Sequence, residues 1–193
     1  MKNNFHTRNN KAKSLLFYFS RNWIYNKRKR GGGIFMSKSD IIREQEQLVD
    51  WAKTLHSIDK MIWFKPFSKG KWGTADVISH FITWDHFMLQ HRIPFIEKGL
   101  EFPKVDINPE KMNKDASVYA RSGIEKQQLI KEYIDTRSQV IERLKLFPEE
   151  LYAKKITVGS KELSVSEYFA SHLEHDNKHV HQIKEFIKDG KNL

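Results

Sequence analysis

The sequence predicts an all-α protein, a four-helix bundle with a long crossover between helices two and three. Four stretches of the chain repeat their apolar residues with the 3.6-residue period of an amphipathic helix. Residues 101–120, between the second and third stretches, are polar and contain Pro103 and Pro109, so we expect little regular structure there. Residues 155–165 alternate weakly around a Gly-Ser pair, which predicts a short hairpin or an irregular loop. One long connection is compatible with a bundle.

The first two helices have recognisable ends. Ser39 is the predicted cap of a helix over about 40–58, because side chains of this type accept hydrogen bonds from free amides at a helix start. Thr74 is the predicted cap of the second helix, which runs to about Lys98 and stops at Gly99. The apolar stripe of the first helix comprises Ile41, Leu48, Trp51, Ala52 and Leu55.

The third and fourth helices flank the weakly alternating segment. The third is predicted over about 124–146 and ends before Pro148, since the residue before a proline disfavours helical geometry. The motif Ser164-Val165-Ser166-Glu167 has the spacing of a capping box. It opens a fourth helix that reaches about Lys188 and ends at Gly190.

Composition limits the chemistry that the chain can carry. The 193 residues include no cysteine, which excludes disulfides, thiolate zinc sites and a cysteine nucleophile. A metal site must therefore use His, Asp, Glu or water, which favours borderline or hard divalent ions. No apolar run is long enough to cross a bilayer, and we expect a cytoplasmic protein without a membrane partner.

The net charge of +10 lies almost entirely in residues 1–35, which carry nine Lys or Arg and no acidic residue. The rest of the chain holds 25 basic and 24 acidic side chains, so a nucleic-acid partner is not expected. A basic arm for nucleic acid or anionic lipid is one interpretation of the segment. The codons of Arg30 and the three glycines after it also permit a purine-rich ribosome-binding sequence before Met36. We therefore predict a disordered or mis-annotated leader at 1–35 and one domain at 36–193.

Histidines interrupt two apolar stripes that should face the core. At 100° per residue, one face of the fourth helix is apolar at both ends and rich in imidazole in its middle. Its members are Val165, Phe169, His172, Asp176, His179, Val180 and Ile183, with His175 at the edge and His181 on the opposite, exposed side. The corresponding stripe of the second helix contains Val77, His80, Trp84, Phe87, Met88, His91 and Phe95.

Several buried imidazoles cost free energy unless each has a partner, and a shared cation would supply one. His175 and His179, at i and i+4, can both reach one ion, with His80 as the ligand from a facing helix. Three protein ligands leave positions open for water or substrate, as in catalytic sites. The plainer alternatives are that an inward histidine is a hydrogen-bonded core residue or that a His-rich helix is a solvated face, and we assign His56, His86 and His91 to these non-ligand classes.

Two motifs resemble the DinB-like superfamily of four-helix proteins, which includes thiol S-transferases of the bacillithiol type. Residues 71–81, KWGTADVISHF, are similar to the family's tryptophan, polar cap and "xVxxHL" segment, and residues 174–183, EHDNKHVHQI, to its "HxxxHxxQI". The resemblance implies a DinB/YfiT-like bundle in which His80, His175 and His179 are the metal ligands. The family's common His-Arg-Gly-Gln is His179-Val180-His181-Gln182 here, so a particular transferase activity does not follow.

The function expected from these observations is that of a metal-dependent enzyme, a thiol S-transferase-like transferase or a hydrolase. It would activate a thiol or water on a divalent ion (Zn, Ni, Mn or Fe) and act on a small molecule, with a low-molecular-weight thiol as a candidate and a homodimer as a possible assembly. Asp176 is the candidate catalytic residue, as a base or as an acceptor that orients a ligand histidine. Trp72, Trp84 and Phe87 are candidate pocket residues or core. The alternative function is a non-enzymatic metal-binding or stress-response bundle.

Overall fold

A computed structural model of the chain describes residues 36–103 and 105–190. Within these ranges the chain forms α-helices, two 3-10 turns (Leu55–Ser57 and Glu149–Ala153) and one β-hairpin. The helices are α1 (Lys38–Thr54), α2 (Lys60–Phe64), α3 (Thr74–His91), α4 (Ile93–Lys98), α5 (Pro109–Ala120), α6 (Lys126–Leu146) and α7 (Val165–Gly190). The predicted leader, 1–35, lies outside the described residues.

The four long helices α1, α3, α6 and α7 pack around a common apolar core, which confirms the predicted all-α bundle. The largest fully buried side chains of that core come from all parts of the chain: Trp63, Phe81, Tyr133, Phe147, Tyr152 and Phe169. No helix in the described ranges combines the length and the apolar character that a membrane span requires.

Helix α1 begins two residues earlier than predicted. Ser37, not Ser39, is its cap, because the Ser37 hydroxyl accepts a hydrogen bond from the Asp40 amide at 3.1 Å. The α-helix ends at Thr54 and continues into a 3-10 turn that reaches Ser57, so the predicted end near residue 58 describes the helical segment as a whole rather than its α-helical part.

The second predicted helix is capped by Gly73 rather than by Thr74, which is its first helical residue, and the helix is interrupted. It divides at Arg92 into α3 and α4, since Pro94 has no amide hydrogen to continue the ladder and its ring collides with the preceding turn. Its end is as predicted, because Gly99 adopts a left-handed conformation (φ 65°) that favours glycine.

The prediction of little regular structure over 101–120 is wrong. Helix α5 occupies Pro109–Ala120, with the Asn108 side chain accepting a hydrogen bond from the Lys111 amide at 3.0 Å and proline in the first turn. Proline is favoured at this position because its missing amide hydrogen is not needed there. Helix α5 packs along α3, and the Ser79 hydroxyl donates to the Ala116 carbonyl oxygen at 2.7 Å. The crossover therefore covers one face of α3.

The segment before α7 is the predicted hairpin. Strands β1 (Lys155–Val158) and β2 (Lys161–Ser164) pair antiparallel across Gly159-Ser160, with Gly159 at φ 64°. The capping box is also confirmed: Glu167 accepts from the Ser164 amide at 2.6 Å, and the Ser164 hydroxyl accepts from the Glu167 amide at 3.1 Å. This cap fixes where α7 begins, and so the phase at which its histidines face α3.

Candidate metal centre

Three histidines from two helices meet inside the bundle. His80 lies on α3, and His175 and His179 lie one turn apart on α7. One potential ligand nitrogen from each ring lies within 4.8 Å of the other two. The ring centroids are 5.3 Å apart for His80 and His175, 5.4 Å for His80 and His179, and 4.7 Å for His175 and His179. We call these three residues the histidine trio; it is the set that the sequence predicted.

The protonation of His80 is fixed by its neighbours. The Asn113 side-chain oxygen lies 3.1 Å from Trp84 Nε1 and 2.9 Å from His80 Nδ1. Because an indole nitrogen can only donate, this Asn113 atom acts as an acceptor, and His80 Nδ1 must also donate to it. The proton of neutral His80 is therefore on Nδ1, and Nε2 carries a lone pair.

That lone pair has no hydrogen-bond partner among the described residues. His80 Nε2 is buried and receives no hydrogen bond from any residue in 36–103 or 105–190. A buried polar atom without a partner costs about 1–3 kcal/mol. An ion shared with the other two rings would remove this cost, so the donor set fits a divalent cation.

His175 is oriented in a similar way by Asp176. The two side chains approach at 3.1 Å, Nδ1 to Oδ1, and Asp176 Oδ2 accepts from Arg137 Nη2 at 2.8 Å. Burial opposes ionisation of Asp176, but Arg137 and the contact with His175 together lower the pKa of this carboxyl below its ordinary value. An ionised carboxylate can only accept, so His175 Nδ1 donates, and Nε2 is the ring nitrogen through which His175 could bind an ion.

The environment also keeps two of the three rings, those of His80 and His179, uncharged. Burial, followed by repulsion from the neighbouring imidazoles, lowers the pKa of His80 to about 3. The same two causes lower the pKa of His179 to about 4, against a hydrogen bond with Gln182 that acts in the other direction. Neutral imidazole is the form that binds metal ions, so at pH 7 these two rings are ready to do so.

Behind the trio lies a buried polar cluster, which we call the Arg137 cluster: Gln45, Asp85, Arg137 and Asp176. Arg137 donates to Asp85 Oδ2 at 2.7 Å, to Gln45 Oε1 at 2.6 Å and to Asp176 Oδ2 at 2.8 Å. These partners belong to α3, α1 and α7, and Arg137 itself belongs to α6, so one guanidinium connects all four long helices. Opposite charge raises the pKa of Arg137 although burial opposes this, and the side chain stays cationic.

A pocket opens beside the trio and reaches this cluster. Its lining comprises Gln45, His80, Phe81, Trp84, Asp85, Met88, Pro109, Asn113, Arg137, Val140, His172, His175 and Asp176. Of the aromatic residues predicted for such a pocket, Trp84 lines it, whereas Trp72 packs on the His80 ring at 5.1 Å and Phe87 packs on Trp84 and His91. The sequence did not point to Asn113, Asp85 or Arg137. The pair Asn108-Pro109, a common helix start, was the available signal for α5 and hence for Asn113.

The histidines that we assigned to other roles lie outside the trio. His56 is exposed and approaches Gln127 at 3.2 Å, and His86 is exposed and approaches Thr136 at 3.3 Å. His91 packs on Phe87 with a centroid distance of 5.3 Å. His181 is exposed, as predicted.

The family model of the DinB superfamily matches residues 43–183, a range that contains the whole trio. The chain belongs to the DinB superfamily. This confirms the resemblance found in the two sequence motifs. None of the curated proteins matches the chain.

Three solved structures have a fold similar to that of this chain. YfiT from Bacillus subtilis, described as a probable metal-dependent hydrolase with an unusual four-helix bundle topology, has a TM-score of 0.62 and 11% identity over 80% of this chain and 87% of YfiT. The mycothiol-dependent maleylpyruvate isomerase has a TM-score of 0.60 and 12% identity over 77% of this chain and 61% of the isomerase. A Streptococcus pneumoniae protein has a TM-score of 0.61 and 10% identity over 86% of this chain and 98% of the pneumococcal protein. At these identities the likeness concerns the DinB-like fold alone.

Proposed function

We propose that this DinB-superfamily protein is a metal-dependent enzyme that binds a divalent ion through His80, His175 and His179 and activates a thiol or a water molecule as a nucleophile. The single observation that carries the proposal is the buried lone pair of His80 Nε2, which has no partner among the described residues and belongs to a ring that lies beside the two other imidazoles. A purely structural core histidine would be expected to have both ring nitrogens satisfied.

The choice of ion follows from the donor set. Three neutral imidazoles suit zinc, nickel, manganese or iron better than calcium or magnesium, which prefer oxygen ligands. Three protein ligands leave room for a further ligand, and a divalent ion held there would lower the pKa of a thiol or water next to it.

The chain's own residues would prepare the site. Asn113 and Asp176 each hold one histidine by its Nδ1, so that Nε2 is presented to the ion. Both Asp176 oxygens are engaged, by His175 and by Arg137, and its pKa is lowered. We therefore assign Asp176 the orienting role of the two that the sequence suggested, since a proton-accepting base would need an uncommitted oxygen in the pocket.

Thiol and water activation are both compatible with this arrangement. The isomerase of similar fold is mycothiol-dependent, and YfiT is described as a probable hydrolase. Our proposal favours a small thiol, because a thiol is acidified more readily than water at neutral pH. A small substrate also suits the pocket beside the trio, whose walls include Trp84, Met88 and Val140.

The metal site is tested by elemental analysis of protein purified without an affinity tag. We expect one divalent ion per chain in the unaltered protein and none in His80→Ala or His179→Ala, with the helical circular dichroism spectrum retained. The exposed His181 on the same helix provides the matched control, and His181→Ala should keep its ion. Full metal content in both trio variants would refute the site.

The reaction is tested on the metal-loaded protein with a thiol and an electrophilic acceptor, and separately with hydrolysable esters and amides. Consumption of the thiol that requires both the ion and His80 would support the transferase. Hydrolysis with the same requirements would support the water route. Stoichiometric metal with neither reaction would favour the non-enzymatic bundle.

A further inference from the structure

Asp85 is the member of the Arg137 cluster with acceptor capacity left over. Its Oδ2 accepts from Arg137 Nε at 2.7 Å, whereas no residue in the described ranges donates to Oδ1. The side chain is only 7% exposed, and it forms part of the pocket wall that also includes His80 and His175. A buried carboxylate oxygen thus borders the space in which a substrate would lie.

The charge around Asp85 is not balanced locally. Arg137 is shared between two carboxylates, Asp85 and Asp176, and its remaining donor goes to the neutral Gln45. With both carboxylates ionised, the cluster carries one net negative charge.

A group placed near Asp85 would therefore be selected by its charge and its hydrogen bonds. A carboxylate or phosphate would meet two buried carboxylates, and like charges in a desolvated site repel strongly. An ammonium group would donate to Oδ1 and neutralise the excess charge. Burial, together with the neighbouring Asp176 carboxylate, raises the pKa of Asp85 to about 7 even beside Arg137, so an ammonium group at Oδ1 would favour the ionised form of this carboxyl.

We propose that Asp85 is a specificity-determining residue whose Oδ1 binds an amine of the substrate, so that the site prefers cationic amines over carboxylates. This rests on the proposed function, in which the reacting thiol or water lies at the histidine trio. His80 and Asp85 are five residues apart on α3, a rise of about 7.5 Å along the helix. The preferred substrate would carry its amine at a comparable distance from its reacting atom.

The first experiment needs no metal. Binding of butylammonium, butanol and butyrate to the chelator-treated full chain is measured calorimetrically at pH 8, where Asp85 is mostly ionised. We expect butylammonium to bind best and butyrate not to bind. Because a hydrogen bond to a charged group is worth about one to two powers of ten in affinity, Asp85→Asn should weaken butylammonium binding about tenfold to a hundredfold.

The second experiment uses the zinc-loaded chain and a series of ω-aminothiols with two to six carbons, compared with alkanethiols of equal length. One member of the series should bind about tenfold or more tightly than its alkanethiol, and in Asp85→Asn the aminothiol and the alkanethiol of equal length should bind with similar affinity. Asp135→Asn, which removes an exposed carboxylate on α6, is the control for general surface charge.

The outcomes separate the two proposals. Equal binding of ammonium and carboxylate probes by the unaltered protein would overturn the role of Asp85, whether or not the variant folds. An equal loss of affinity for every probe in Asp85→Asn would also overturn it, since that result is expected if Asp85 serves only as a counter-ion of Arg137. Amine selectivity in a protein that binds no ion would leave this inference standing and refute the metal site.

Discussion

Asn113 holds two rings of the site through one oxygen atom, which makes it the most informative single position to change. Replacing it by leucine keeps the approximate volume and removes the acceptor for His80 Nδ1 at 2.9 Å and Trp84 Nε1 at 3.1 Å. His80 is then free to place its proton on Nε2, and in that form Nε2 has no lone pair with which to bind an ion.

The expected magnitude follows from the two hydrogen bonds that the Asn113 oxygen accepts. Each is worth about 0.5–1.5 kcal/mol, and both are absent in the leucine variant, so its apo form should be about 1–3 kcal/mol less stable. Changes to residues that orient metal ligands cost about 10–100-fold in metal affinity. We therefore expect Asn113→Leu to weaken zinc binding by about 1.4–2.7 kcal/mol while His175 and His179 remain in place.

The assay is competition for zinc against a chromophoric chelator, with a thermal melt of each apo variant to show that it is folded. Asn113→Asp is the matched variant, since a carboxylate accepts from the same two donors and should preserve or increase the affinity. Lys114→Ala, an exposed neighbour on α5, should change nothing. A zinc affinity of Asn113→Leu within twofold of the unaltered protein would show that the tautomer of His80 is not what prepares the site.

Four further predictions concern stability. Arg137→Met leaves two buried carboxylates without their counter-ion and should lower the free energy of unfolding in urea by about 3–5 kcal/mol. The control Arg143→Met breaks a more exposed ion pair on the same helix and should lower it by about 1 kcal/mol or less. Equal losses in the two variants would contradict the assigned cluster. Apo protein should lose stability as the pH falls from about 6.5 to about 4, because three histidines with pKa lowered in the folded state take up protons on unfolding: His80, His172 and His179. Asp85 acts in the opposite direction, because its pKa is raised to about 7 in the folded state and it releases a proton on unfolding. Unfolding therefore takes up two net protons, and the free energy of unfolding should fall by about 2.7 kcal/mol for each pH unit. A melting temperature that does not change over this range would be inconsistent with neutral buried imidazoles. Zinc should raise the melting temperature at pH 7.5 and lose this effect in mildly acidic buffer. A chain that begins at Met36 should melt within a degree or two of the full chain, and a clearly lower value would show that residues 1–35 contribute to the fold.

The trio could be predicted from the sequence because helical phase is a short-range property. Once α3 and α7 are recognised, a rotation of 100° per residue places His80, His175 and His179 on inward faces, whatever the details of the loops. The capping box at Ser164 and Glu167 fixes that phase for α7. The bundle itself follows from the same periodicity, since four apolar stripes can be buried only against one another.

The residues that prepare the trio could not be predicted in this way, because their positions depend on tertiary contacts. Asn113 lies on a short helix of which only Pro109, Ala116 and Ala120 are buried, so it has almost no apolar stripe to reveal it. Asp85 and Arg137 are charged residues within helices, which a periodicity argument places in solvent by default. Their pairing across 52 residues becomes visible only when α3 and α6 are packed together.

The Arg137 cluster connects the histidine trio to the packing of the four long helices. A buried ion pair of this kind is often no more stabilising than well-packed apolar side chains of the same volume, so stability alone is a weak reason for its presence. What apolar side chains cannot do is direct a hydrogen bond: Asp176 links Arg137 to His175, and the same guanidinium takes partners from α1 and α3. Any sliding of one long helix along another would break one of these hydrogen bonds inside the core. The cluster therefore fixes the relative positions of α3 and α7, and hence the separation of His80 from His175. A single buried arginine therefore positions both the histidines of the proposed metal site and Asp85, the acceptor that borders the pocket.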